Sequence, residues 1–97
     1  MYVGTLSFDL LLGDVASLKQ KRSVVRPIVA ELHRRYAVAV AEVGDQDLYR
    51  RAEIGLSSVS GDHGHLSGLL DACERWMADR PEVDLLSVRR RVHGDED

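Results

Sequence analysis

Residues 37–59, AVAVAEVGDQDLYRRAEIGLSSV, decide the fold. Residues 37–43 are apolar and β-prone. Residues 48–59 alternate, with Leu48, Ala52, Ile54 and Leu56 on one side and Arg51, Glu53 and Ser57 on the other. Between them, Gly44-Asp45-Gln46-Asp47 is a connection of hairpin length. Two adjacent strands are therefore predicted in the middle of the chain.

The flanks supply the rest. Upstream, residues 17–36 carry Val25, Ile28, Val29, Leu32 and Tyr36 at helical spacing. Ser17 and Gln20 have capping-box spacing at the helix start. Pro27 lacks an N–H and clashes one turn back, so a kink near Ser23 or a separate turn over 17–22 is expected. Further out, residues 2–12 alternate as a strand with Leu6, Phe8, Leu10 and Leu12 inward and Thr5, Ser7 and Asp9 outward. Downstream, Asp62 can cap a second helix whose stripe is Leu66, Leu69, Leu70, Cys73, Trp76 and Met77. Arg80-Pro81 ends it, and residues 83–92 form the last strand. The order is β-α-β-β-α-β. Right-handed crossovers put both helices on one face of a four-stranded antiparallel sheet. The fold class is thus α+β, a ferredoxin-like sandwich, with one domain over 1–93 and a short acidic tail over 94–97. The second sheet face stays open.

The chain has 97 residues, 44% apolar and 30% charged, which suits one compact soluble domain. The N-terminus lacks a basic n-region and a small-residue cleavage site, and no apolar run reaches the length of a membrane span. Cys73 is the single cysteine, so no internal disulfide forms. A cytoplasmic protein without membrane contact is expected.

Two segments resemble a known family. Ser17-Leu18-Lys19-Gln20-Lys21-Arg22 resembles the SLKxKR signature of the YlxP-like family of small bacterial proteins of unassigned function. Ala41-Glu42 through Gln46-Asp47-Leu48, followed by Arg51-Ala52, is similar to that family's AE-x-x-x-QDL-x-x-RA segment. Val3-Gly4 and the 55–60 stretch also fit. The resemblance implies a ferredoxin-like fold. Its gene neighbourhood among translation factors and ribosome maturation implies a connection to RNA or the ribosome. Gln46 and Asp47 belong to the resemblance, which gives them no chemistry.

The net charge of -3 conceals an uneven distribution. Residues 17–36 hold six basic residues against Glu31, and residues 62–84 hold six acids against two arginines. Lys19, Arg22, Arg26 and His33 fall within about 60° on a helix. Such a ridge meets phosphates. Lys19, Lys21, Arg22 and Arg26, with Arg50 and Arg51 extending them, are the candidate nucleic-acid-binding residues, and Arg89, Arg90 and Arg91 are a further extension. The competing reading is a solvated face with weak ion pairs.

Other constellations are weaker. Strand aromatics of the kind that stack bases are missing, since Phe8 and Trp76 sit on core stripes and only Tyr49 and Tyr2 remain to face outward. His63 and His65 lie two apart and do not share a helix face, so no metal site is expected. Glu42, Asp45 and Asp47 read as turn residues. Cys73 reads as a buried structural thiol. No nucleophile–base pair or phosphate loop is present, so neither catalysis nor a cofactor is expected. The expected function is a non-enzymatic RNA- or ribosome-associated binding protein, with the small ribosomal subunit as a partner. The alternative is a homo-oligomeric module, pairing through its sheet face or edge or sensing a small ligand.

Overall fold

A computed structural model describes residues 1–95. It contains β1 (Tyr2–Leu12), α1 (Leu18–Arg35), β2 (Ala39–Gly44), β3 (Arg51–Ser60), α2 (His63–Ala78) and β4 (Val83–His93). The strands form one sheet in the order β2-β3-β1-β4, and every neighbouring pair is antiparallel. This is the ferredoxin-like arrangement expected from the alternation.

The period of two decides which face is covered. Leu6, Phe8, Leu10 and Leu12 of β1 and Ala52, Ile54 and Leu56 of β3 are buried. They join Val25, Ile28 and Leu32 of α1 and Leu66, Leu70, Cys73, Trp76 and Met77 of α2 in one core. Both helices therefore lie on the same face. Gly4 shares it, and a Cβ there would lie 2.8 Å from Leu70 Cδ1, so glycine lets α2 approach β1 closely. The opposite face carries Thr5, Ser7, Asp9, Arg51, Glu53 and Ser57 and is uncovered by either helix.

The helix ends follow from the sequence. Gln20 N donates to Ser17 Oγ at 3.1 Å, and the Gln20 side chain accepts from Ala16 N at 2.6 Å. Asp62 accepts from His65 N at 3.2 Å. Pro27 corrects one expectation: α1 runs unbroken from Leu18 to Arg35, so residues 17–22 are not a separate turn. Pro27 lies on an exposed side of α1, and the core stripe carries the helix past the missing N–H.

The hairpin is also corrected. The second strand begins at Ala39, not residue 37, and the third at Arg51, not residue 48. Asp45 adopts a φ of 59°, and Leu48 N donates to Asp45 O at 3.0 Å, so the chain turns before it can pair. Leu48, expected inward, is half exposed. Of the expected tail, Glu96 and Asp97 lie outside the described residues, and Asp95 Oδ2 accepts from the Met1 amino group at 2.6 Å.

Candidate nucleic-acid interface on helix α1

Helix periodicity sorts the basic residues of α1 into two groups. Lys21 lies four residues before Val25, seven before Ile28 and eleven before Leu32, so it shares their buried stripe. Its side chain is 3% exposed. Lys21 Nζ lies 2.8 Å from Glu42 Oε2 and donates to Asp45 O at 2.6 Å. The expectation that Lys21 meets a partner on the surface is thus corrected: its ammonium holds the β2–β3 loop against α1. The Lys21-Val25-Ile28-Leu32 spacing was the signal that marked it as internal.

Lys19, Arg22 and Arg26 form the second group. All three are exposed. Among the described residues none makes a side-chain hydrogen bond or ion pair. Their Cα atoms span ~10 Å along the axis at 1.5 Å per residue. Arg34 and Arg35 differ, because both pair with Glu31. Arg34 holds the Glu31 carboxyl below its usual range, mainly through a side-chain hydrogen bond. The ridge is therefore confined to the first half of the helix, with His33 beyond it.

Arg50 and Arg51 do not continue the ridge. Arg50 Nε donates to Gly13 O at 3.0 Å and to Leu12 O at 3.4 Å, fastening the β3 entrance to the β1–α1 connection. Arg51 lies on the open sheet face, away from the helices, with its guanidinium 2.6 Å from Asp9 Oδ2. That hydrogen bond raises its pKa. The β4 arginines separate by face as well. Arg89 pairs with Glu53 on the open face at 3.2 Å. Arg90 turns to α2, where it reaches Asp71 at 2.6 Å and Glu74 at 2.9 Å and donates to Ser67 Oγ at 2.9 Å. Arg91 opposes Thr5 on the open face.

A groove of about 480 Å³ separates α1 from the edge strand β2. Val25, Val29 and Val40 form its apolar floor, and Arg26, His33 and Glu42 supply its polar borders. Arg26 and His33 show that the cationic flank of α1 faces β2. Pro27, Ile28 and Glu31, on the other flank, meet Trp76 and Arg80 near α2. His33 Nδ1 lies 3.1 Å from Val38 O. A carbonyl only accepts, so Nδ1 carries the proton and Nε2 is left for another partner. Sequence reading gave the cations but missed this groove, because β2 and α1 meet only in the fold.

Tyr2 and Phe8, the aromatics of β1, lie on the helix side of the sheet. Tyr2 packs edge-on to His63, with ring centroids 5.3 Å apart. Tyr49 is exposed but belongs to the β2–β3 loop. In that region the Glu42 carboxylate and the Asp45 backbone have structural roles. Glu42 pairs with Lys21, and Asp45 turns the chain. Among the described residues no group of three or more His, Cys, Asp or Glu is placed to hold a metal ion. Cys73 is buried, and desolvation pushes its thiol up to about 11.

The architecture defines a small α+β domain of ferredoxin-like type. The chain matches the family described as protein of unknown function (DUF503) over residues 3–90 and belongs to it. It is similar to the uncharacterized protein YlxP of Bacillus subtilis (strain 168), with 26% identity over 87 residues, 90% of this chain and 95% of that protein. The two segments that carry the resemblance meet in space, since Lys21 of the first binds Glu42 and Asp45 of the second. Among the described residues no helix is long and apolar enough to cross a membrane.

Proposed function

We propose that the protein is a non-enzymatic RNA- or ribosome-associated binding protein whose phosphate contacts are Lys19, Arg22 and Arg26. The supporting observation is that these three exposed cations share one helix flank and have no acidic partner among the described residues. A surface that only needed solubility would intersperse both signs of charge, as Glu31 does beside Arg34 and Arg35. Phosphates at this flank would complete the unpaired charges and release counterions.

Co-sedimentation with ribosomal subunits across a salt series tests the reading. Each neutralised phosphate contributes about 0.7–0.9 to the slope of log affinity against log salt. Replacing Lys19, Arg22 and Arg26 by Gln should flatten the slope by ~2–3 while the thermal midpoint stays put. Equal binding by the parent and the triple variant removes the basis of the proposal.

A second reading rests on the sheet edges. Edge strand β4 has a register shift beside Asp9/Leu10 and carries three arginines, both of which discourage pairing. Edge strand β2 is short, and Ala39, Ala41 and Val43 are exposed on it. Self-association through β2 would give a homo-oligomer, and sedimentation velocity at several concentrations decides it. A strict monomer throughout counts against this reading.

A further inference from the structure

We infer that the groove between α1 and β2 receives an unpaired nucleotide of single-stranded RNA, its base on Val25, Val29 and Val40 and its phosphates on Arg22 and Arg26. The inference rests on the phosphate-binding reading above and adds the kind of RNA that the site takes. Two observations combine. The cations are unpaired among the described residues, and the surface beside them is apolar and concave. Its volume of about 480 Å³ lies in the range of clefts that hold small molecules, about 300–1,000 Å³.

Cations alone suit any nucleic acid. The apolar floor does not. A duplex shows its partners phosphates, sugars and groove edges, with the base faces hidden in the stack. Only an unpaired base offers a flat apolar face together with a polar rim. The groove has the matching parts. The three valines form the floor, and Arg26 stands at the rim with five donors. His33 is oriented by its bond to Val38 O, which leaves Nε2 for a base or ribose group. Glu42 closes the β2 side as an acceptor for base N–H groups, and its other oxygen is held by Lys21.

A second copy of the chain fits the groove less well. Pairing β2 with its own copy would bring the Arg22–Arg26 flanks of two copies together, and like charges oppose that. An acidic peptide laid along β2 would use the same cations and is kept as an outcome of the test.

Fluorescence anisotropy with a labelled short single-stranded RNA, the same RNA annealed to its complement, and an acidic peptide of equal length separates the cases. The parent protein should bind the single strand at least about fivefold tighter than the duplex, because only an unpaired base can bury its face on the valines. Val29→Gln removes part of the floor without changing charge and should bring the single strand down to the duplex level, leaving the duplex unaffected. Ala30→Gln, at an exposed groove position that cannot disturb the core, should act in the same direction. Equal affinity for single strand and duplex, with both Gln variants silent, overturns the nucleotide site and leaves phosphate binding standing. No binding of either RNA overturns both readings. Tighter binding of the acidic peptide than of the RNA assigns the groove to a protein strand and also overturns the inference.

Discussion

Replacing Lys21 by Met should destabilise the domain more than any substitution on the ridge beside it. The Lys21 side chain is 3% exposed and that of Glu42 is 26% exposed. Removing one partner of a buried pair costs ~3–5 kcal/mol, because the other charge is left uncompensated. Glu42 keeps some access to water, which brings the cost of its lost partner down to ~1–2 kcal/mol, between the exposed and the fully buried cases. Met retains most of the aliphatic stem, so little packing is lost. The bond to Asp45 O, donated by a charged group over 2.6 Å, adds to the loss. A total of ~2–4 kcal/mol follows from these ranges. In a domain of this size that lowers the thermal midpoint by roughly 10–25 °C. Urea denaturation of the parent, Lys21→Met, Glu42→Gln and the double variant gives the coupling directly. The double variant no longer buries a lone carboxylate, so a favourable coupling of ~1–3 kcal/mol is expected. Hydrogen exchange in residues 45–50 should also quicken in Lys21→Met, since the loop loses its tether to α1. A loss below ~0.5 kcal/mol, or additive single effects, would refute the role assigned to Lys21.

Three further substitutions probe the same frame. Arg90→Met cuts the link from β4 to Asp71, Glu74 and Ser67 of α2; partial exposure limits the loss to ~1–2 kcal/mol, and an unchanged urea midpoint would show the cluster to be decorative. Pro27→Ala restores a backbone donor inside an uninterrupted helix, so the thermal midpoint should rise, by up to ~3 kcal/mol in stability; a fall would mean that the helix needs the proline's shape. The Cys73 thiol has a pKa near 11 against 9.0 for the free group, so burial favours the neutral form. Its contribution to stability is complete below pH 9 and fades as pH rises toward 11. Thiol-reactive dye at pH 8 should therefore label the folded protein far more slowly than the urea-unfolded chain, and equal rates would contradict the burial.

The fold was legible because three periodicities agreed. Alternation placed Leu6, Phe8, Leu10 and Leu12 on one side of β1, and helical spacing placed the Val25-Ile28-Leu32 and Leu66-Leu70-Cys73 stripes. All of them are buried as expected. The misplaced boundary at Leu48 has a physical origin. Residues 48–50 keep strand-like alternation, but the turn at Asp45 is set by an ammonium 24 residues upstream. No local pattern reports a tertiary hydrogen bond. Pro27 misled for the complementary reason, since its local penalty is real but smaller than the core that the rest of α1 buries.

The candidate site was half legible, and the dividing line is instructive. A count of charge over 17–36 treats Lys19, Lys21 and Arg22 alike, whereas the helix separates them. Lys21 points inward with Val25 and fastens the second family segment to the first. Lys19 and Arg22 point outward without partners among the described residues. The basic residues of α1 thus answer to two different demands. Lys21, Glu42 and the Asp45 turn serve the closure of the domain, and they would be needed whatever the protein binds. The exposed side chains of Lys19, Arg22 and Arg26 do nothing for the fold that a neutral polar residue could not do, whereas the valines of the groove floor also pack against the core. Function is therefore best sought where substitution leaves stability untouched. An Arg22→Gln or Arg26→Gln substitution that keeps the thermal midpoint but weakens association and flattens its salt dependence would separate the two demands in a single experiment. The reverse pattern, with stability falling and association retained, would return the ridge to the fold.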